Sequence, residues 1–172
     1  MKESYKRLIR TFPDFPKPGI EFIDWMPVLK DPASFNDLID DLVALIPNDG
    51  KTFTKIAGLE SRGFLLGVPI AQRLGAGFVP IRKKGKLPGT CLARSYALEY
   101  GTASIEIQAD AIGKDDRVLI VDDLLATGGT MRAANKMIEN ITGEIENLFF
   151  LELDDLQGGK LIEHPYRSLM HI

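Results

Sequence analysis

The chain has 172 residues, 45% of them hydrophobic and 26% charged, which are the proportions of an ordinary globular domain. A formal net charge of −3 and a pI near 5.4 argue against general nucleic-acid binding, and no apolar window reaches membrane-span length. One cysteine, Cys91, excludes an internal disulfide, and the two histidines, His164 and His171, form no His/Cys cluster with metal-ligand spacing. With a charged N-terminus and no apolar signal core, the expected location is cytoplasmic, away from membranes.

Residues 1–11 predict a short amphipathic helix with Tyr5, Leu8 and Ile9 on one side. The prolines of Phe12 to Gly19 forbid a helix and favour extended chain with the phenylalanines tucked in. Asp31-Pro32 is an N-cap followed by proline at the first helical position. The helix it opens carries Phe35, Leu38, Ile39, Leu42, Val43 and Ile46 on one face and stops at Pro47-Asn48-Asp49-Gly50; it reads as core packing. Ile56-Ala57 is a short strand and Gly58 to Gly63 the next turn. A helix to about Leu74 follows, kinked near Gly67–Pro69.

Gly77 to Ile81 is a strand that runs into Arg82-Lys83-Lys84-Gly85-Lys86. On composition alone that run is a solvated surface. It opens, however, a long stretch reaching Gly101 between two strands, and long loops in compact domains are usually lids or disordered. Thr102 to Gln108 returns as a strand, with Ile105 and Ile107 alternating with polar residues. Ala134, Met137, Ile138 and Ile141 form an apolar helical stripe, and Ile145 to Leu153 is a buried strand. The tail 154–172 carries no readable motif. Alternating strands and helices predict an α/β fold with a mainly parallel twisted sheet flanked by helices.

The most informative stretch is Val118 to Thr130, VLIVDDLLATGGT. Its four apolar residues suit a strand buried on both faces, closed by the carboxylates Asp122 and Asp123. Thr127-Gly128-Gly129-Thr130 then turns the chain, and Met131 begins a helical pattern. Glycines allow backbone N–H groups to point inward at a helix N-terminus, which suits a phosphate. Carboxylates at the carboxyl end of a strand suit sugar hydroxyls. The pair describes a ribose 5-phosphate site. Gly58 to Gly63 has the glycine spacing of a P-loop, but Phe64-Leu65 stands where Lys-Ser/Thr is required. Gly75-Ala76-Gly77 precedes a strand and so is no dinucleotide fingerprint.

VLIVDDLLATGGT resembles the phosphoribosyl pyrophosphate signature of the type I phosphoribosyltransferases, and its Leu124-Leu125 doublet is most similar to the adenine phosphoribosyltransferases. The segment Phe15 to Phe35 resembles the hood of that family, and RKKGKLPG with SYALEYG resembles its flexible catalytic loop. The resemblance covers Phe12 to about Leu153. It implies one phosphoribosyltransferase domain over 1–172, with a hood at 1–34, a core at 35–172 and a lid at about 83–103.

The resemblance also implies roles. Asp122 and Asp123 would hold the ribose hydroxyls, and Ala126, Thr127, Gly128, Gly129 and Thr130 the 5-phosphate. Arg62, Lys86 and Arg82 would face pyrophosphate, Arg82 from the neighbouring subunit of a homodimer, and Tyr100 would pack or contact phosphate. Phe22 would stack on the purine, with Ile23 and Leu124 beside it and backbone groups of Ile20 and Glu21 at its edge. Glu99 would assist proton transfer. The implied partners are phosphoribosyl pyrophosphate, adenine, AMP and pyrophosphate, with Mg2+ held mainly by substrate and water. One departure stands out: Ile23 occupies the position of an arginine that the family places beside the purine. A transferase for a 6-oxopurine is therefore the alternative activity. A phosphoribosyl pyrophosphate-sensing regulator would need an added basic module, and the only basic run belongs to the lid.

Overall fold

The computed structural model describes residues 2–97 and 101–172 and divides them into two units, with the boundary between Ile46 and Pro47. The first unit begins with a single helical turn, α1 (Glu3–Lys6), and a two-stranded antiparallel ribbon, β1 (Arg10–Phe12) with β2 (Phe22–Asp24). The helix expected over 1–11 therefore stops early. A helix this short is marginal by itself, and Arg10 pairs with Asp24 in the ribbon, by register and by an ion pair. Tyr5 is fully buried with its hydroxyl donating to Asp41 at 2.7 Å, whereas Leu8 and Ile9 are only half-buried.

Phe12 to Gly19 turns back on itself instead of running extended. Asp14 (φ 57°) and Gly19 (φ 83°) are left-handed, and the Asp14 carboxylate accepts from the Gly19 N–H at 2.7 Å. Phe12 and Phe15 are exposed, not tucked in. Helix α2 (Pro32–Ala44) starts as expected, with Asp31 accepting from the Ala33 N–H at 3.3 Å and the Ser34 hydroxyl at 2.6 Å. Its buried face is Leu38, Ile39 and Leu42; Phe35, Val43 and Ile46 are partly covered. This helix belongs to the first unit.

The second unit is a seven-stranded sheet. In chain order it contains β3 (Lys55–Leu59), α3 (Arg62–Leu74), β4 (Gly77–Lys83), β5 (Cys91–Ala97), β6 (Thr102–Gln108), β7 (Val118–Leu125), α4 (Gly129–Ile138), β8 (Ile145–Glu152) and β9 (Tyr166–His171). The spatial order is β5-β6-β4-β3-β7-β8-β9. The run from β4 to β9 is parallel, and β6 is antiparallel to β4 and β5. β8 is buried at every position, including the polar Glu146, Asn147 and Glu152.

Two strands were not foreseen. β5 lies within the expected lid and forms a hairpin with β6, although most of its residues are exposed. β9 lies in the motif-free tail and adds an edge to β8. The turn after β3 is shorter than expected, because Gly58 and Leu59 belong to the strand and α3 begins at Arg62. Pro69 lies inside α3. No helix among the described residues is long and apolar enough to cross a membrane.

From β3 the chain moves to β4 on one side, then returns to place β7 on the other. Loops leaving β3 and β7 therefore diverge, and open α/β sheets bind ligands in the crevice such a switch creates.

Candidate active site

β7 pairs with β3 only as far as Val121 opposite Gly58, but stays paired with β8 to Leu125. The acid pair thus lies within the strand, not beyond its end, where β7 has left β3. The first turn of α3 enters there. A Cβ on Gly63 would stand 2.6 Å from the Val121 carbonyl oxygen and 3.2 Å from Asp122 Oδ1, so only glycine allows this approach. The approach places Arg62 Nε 3.0 Å from Asp123 Oδ2, with Asp123 only 2% exposed.

Asp122 Oδ1 accepts from the Asp123 N–H at 2.9 Å. Burial first, and the adjacent Asp123 carboxylate second, push Asp122 well above the usual carboxylate range; Arg62 opposes the shift only weakly. The site thus sets a carboxylate whose ionisation is disfavoured beside one matched to a guanidinium.

Past Leu125 the chain turns through Ala126, Thr127 and Gly128 into α4. Gly128 is left-handed (φ +79°) and caps the helix N-terminus. Asp122, Leu124, Ala126, Thr127, Gly128, Gly129 and Thr130 line one cavity of about 90 Å³, floored by Phe149 and Met131. Of the residues read in this stretch as ligands for sugar, phosphate or base, Asp123 alone does not line it; Asp123 is turned to Arg62. The Thr130 hydroxyl is also 3.1 Å from the Tyr96 hydroxyl, which ties β5 to the turn.

The basic run is held by two acids, Glu60 and Glu106, that no sequence motif singles out. Glu60 takes the Arg82 guanidinium at 3.2 Å through both of its oxygens and accepts from the Lys83 N–H at 2.9 Å. Glu106 Oε1 accepts from the N–H groups of Gly85, Lys86 and Leu87 at 2.9, 2.9 and 3.0 Å. Those backbone bonds hold the Glu106 carboxyl below its ordinary range. Glu106 follows Ile105 in an alternating strand and so reads as a surface residue; only the folded turn gives it a purpose. Arg82 is thus engaged within its own chain, and Lys86 sits on a backbone loop that Glu106 fastens.

Gly158 was also missed. A Cβ there would lie 2.1 Å from the Ala126 carbonyl oxygen and 2.9 Å from the Gly128 nitrogen, so the tail packs directly on the glycine turn. Glu99 and Tyr100 lie outside the described residues. In the first unit, Phe22 is flanked edge-on by Phe15, with ring centroids 5.2 Å apart, and Ile23 is 8% exposed. Ile20 donates its N–H to Lys17 and accepts from the Phe15 N–H, while its side chain is exposed.

Asp122 and the glycine turn share one cavity at the switch point of an α/β sheet, with Asp123 and Arg62 paired beside it. The chain belongs to the phosphoribosyl transferase domain family, whose model matches residues 28–169. Among its relatives, the adenine phosphoribosyltransferase of Thermoanaerobacter pseudethanolicus is 51% identical over 162 residues, covering 94% of this chain and 92% of that one. A crystal structure of adenine phosphoribosyltransferase from the same species has a TM-score of 0.93, at 48% identity and 99% coverage of both chains. The Saccharomyces cerevisiae adenine phosphoribosyltransferase, solved with an imino-altritol bisphosphate and adenine, has a TM-score of 0.91 at 41% identity, with 97% of each chain covered. The fold expected from the alternation of strands and helices, and the family expected from VLIVDDLLATGGT, both hold.

Proposed function

We propose that this chain transfers the 5-phosphoribosyl group of phosphoribosyl pyrophosphate to N9 of adenine, releasing pyrophosphate and forming AMP for purine salvage. The observation that carries the reading is the single cavity shared by Asp122 and the Ala126–Thr130 turn, beside the Arg62–Asp123 pair. The choice of adenine rests on the relatives named adenine phosphoribosyltransferase.

In this reaction the bond from C1′ to the pyrophosphate oxygen breaks, a bond from C1′ to N9 forms, and N9 gives up its proton. Positive charge develops on the ribose ring and negative charge on the leaving group. The turn from Ala126 to Thr130 anchors the 5-phosphate through backbone N–H groups and the α4 N-terminus, which fixes the reacting carbon. Asp122 accepts from the ribose hydroxyls. Asp123 aims Arg62, whose guanidinium meets the departing pyrophosphate with Lys86. Arg82 serves the same charge in a neighbouring copy of a homodimer, pre-oriented by Glu60. Glu99 receives the N9 proton under the lid, and Tyr100 packs as the lid closes. Phe22, supported by Phe15, offers the flat face for the base, with Ile23 alongside. Because both Ile20 backbone groups are used in their own turn, the base edge falls chiefly to the backbone of Glu21.

Magnesium fits this site as an ion carried by the substrate. Asp123 is matched to Arg62 and Asp122 Oδ1 is used by the backbone, which leaves too few oxygens for a protein cage and suits a cation that keeps water and phosphate ligands. Mg2+ would neutralise pyrophosphate charge as the bond breaks. We place the enzyme in the cytoplasm, where a lone cysteine stays reduced.

Pyrophosphate release from phosphoribosyl pyrophosphate, measured with each common base, tests the assignment. Release should require both Mg2+ and adenine, and faster turnover of hypoxanthine or guanine would replace adenine by a 6-oxopurine. Ile23→Arg restores the family residue. It should raise kcat/KM for adenine by about tenfold, the value of one charge-assisted hydrogen bond. Since Ile23 is 8% exposed, the same change should lower Tm, because a buried cation is costly. Unchanged adenine kinetics in a folded variant would remove position 23 from base recognition.

A further inference from the structure

A cluster where the end of β8 meets the end of β9 has no part in this chemistry. Glu152 ends β8, Asp154 follows two residues later, and His171 stands opposite Glu152 in the β8–β9 register. Backbone bonds lock this frame: Ile172 donates to the Glu152 carbonyl and Asp154 to the Ile172 carbonyl, both at 2.9 Å. His171 Nδ1 lies 2.8 Å from Asp154 Oδ1 and 3.8 Å from Glu152 Oε2, and one donor atom from each residue falls within 4.8 Å of the others.

We propose that Glu152, Asp154 and His171 form a binding site for a divalent transition-metal ion of the Zn2+ or Mn2+ type. A histidine–aspartate surface pair alone would not account for Glu152. That residue is 6% exposed, and its Oε2 has no hydrogen-bond partner among the described residues although it faces the imidazole. A buried carboxylate oxygen left without a partner is costly, and a cation between the three groups removes that cost. Its other oxygen, Oε1, accepts from the Tyr166 hydroxyl at 3.3 Å, which turns Oε2 toward the cluster in the way outer partners orient metal ligands.

The ligand distances of about 2.0–2.2 Å typical of Zn2+ are reached by small rotations of Asp154 and His171, both exposed, about the fixed Glu152. Water completes the coordination on the open side. One imidazole and two carboxylates select Zn2+, Mn2+ or Co2+ over Mg2+, which prefers an all-oxygen shell. Sequence spacing could not show this site, because strand pairing brings its ligands together.

The test uses the full chain, freed of metal by a chelator and titrated with Zn2+ in a calorimeter and with Co2+ by visible absorption. We expect one saturable equivalent at micromolar affinity, a rise in Tm with Zn2+, and no response to Mg2+ at the same concentration. Glu152→Gln and His171→Ala should each weaken Zn2+ binding by at least about tenfold. Cys91→Ser and His164→Ala should bind as wild type. Asp154→Asn, at an exposed position, serves if Glu152→Gln fails to fold, and should lose affinity equally. Absence of saturable binding, or full affinity in the His171 and Asp154 variants, overturns the proposal.

Discussion

The double variant Asp122→Asn/Asp123→Asn is expected to lose about 10²–10³-fold in kcat/KM, the usual loss when a preorganised polar contact to the reacting group is removed. The stability change should run the other way for Asp122 alone. The fold disfavours an ionised Asp122, through burial and the neighbouring Asp123. An acid whose folded-state pKa is raised costs stability as pH climbs from its unfolded value, about 4, toward the higher folded one. Above that window the cost is fully present. Asp122→Asn should therefore melt above wild type at pH 7 while being nearly inactive, a trade found where a site holds destabilising groups for function. Asp123→Asn alone removes the repelling charge, so the acid limb of the kcat/KM profile should move to lower pH. Wild-type kinetics in the double variant would show that Asp122 does not hold the sugar and that Asp123 does not aim Arg62.

Gly158→Ala should have the second largest effect. The added methyl would meet the Ala126 carbonyl oxygen at 2.1 Å and the Gly128 nitrogen at 2.9 Å. Both are backbone atoms, so no side chain can swing aside and the glycine turn itself must move. A displacement near 1 Å at a positioning element can cost about 100-fold. We expect KM for phosphoribosyl pyrophosphate to rise by that order, with Tm falling by several degrees for an overpacking cost of about 1–3 kcal/mol. Adenine KM should change far less. A variant with unaltered KM and Tm would mean that the tail yields freely and does not support the turn.

Much of this site was legible because its parts are local. Strand, acids, glycine turn and helix start occupy one continuous stretch, and each leaves a mark in residue type: unbroken apolar residues for β7, glycine where φ is positive at Gly128. The extent of the strand was not legible. β7 continues through Asp122 and Asp123 because β8 still offers partners there, and partners are invisible along one chain. The same reason hides Glu60, Glu106 and Gly158, whose roles exist only against Arg82, the 85–87 loop and Ala126. β5 and β9 were missed because neither alternates: β5 is mostly exposed and β9 is partly buried throughout its middle, which erases the period that marks a half-buried strand. In the first unit, local propensity for a helix over 1–11 lost to ribbon pairing between Arg10–Phe12 and Phe22–Asp24.

The pairing of β3 with β7 also bears on how the chain becomes active. The two strands meet across a wide gap in sequence; at their start, Thr54 bonds to Arg117, 63 residues away. Closing so long a parallel connection is slow relative to forming local hairpins. Arg62 and the acid pair come from the two sides of that closure, so no partly folded chain lacking it can assemble the site. Catalytic competence should appear in a single kinetic step with the last folding event, and substrate added during refolding should trap the native state without hastening its formation.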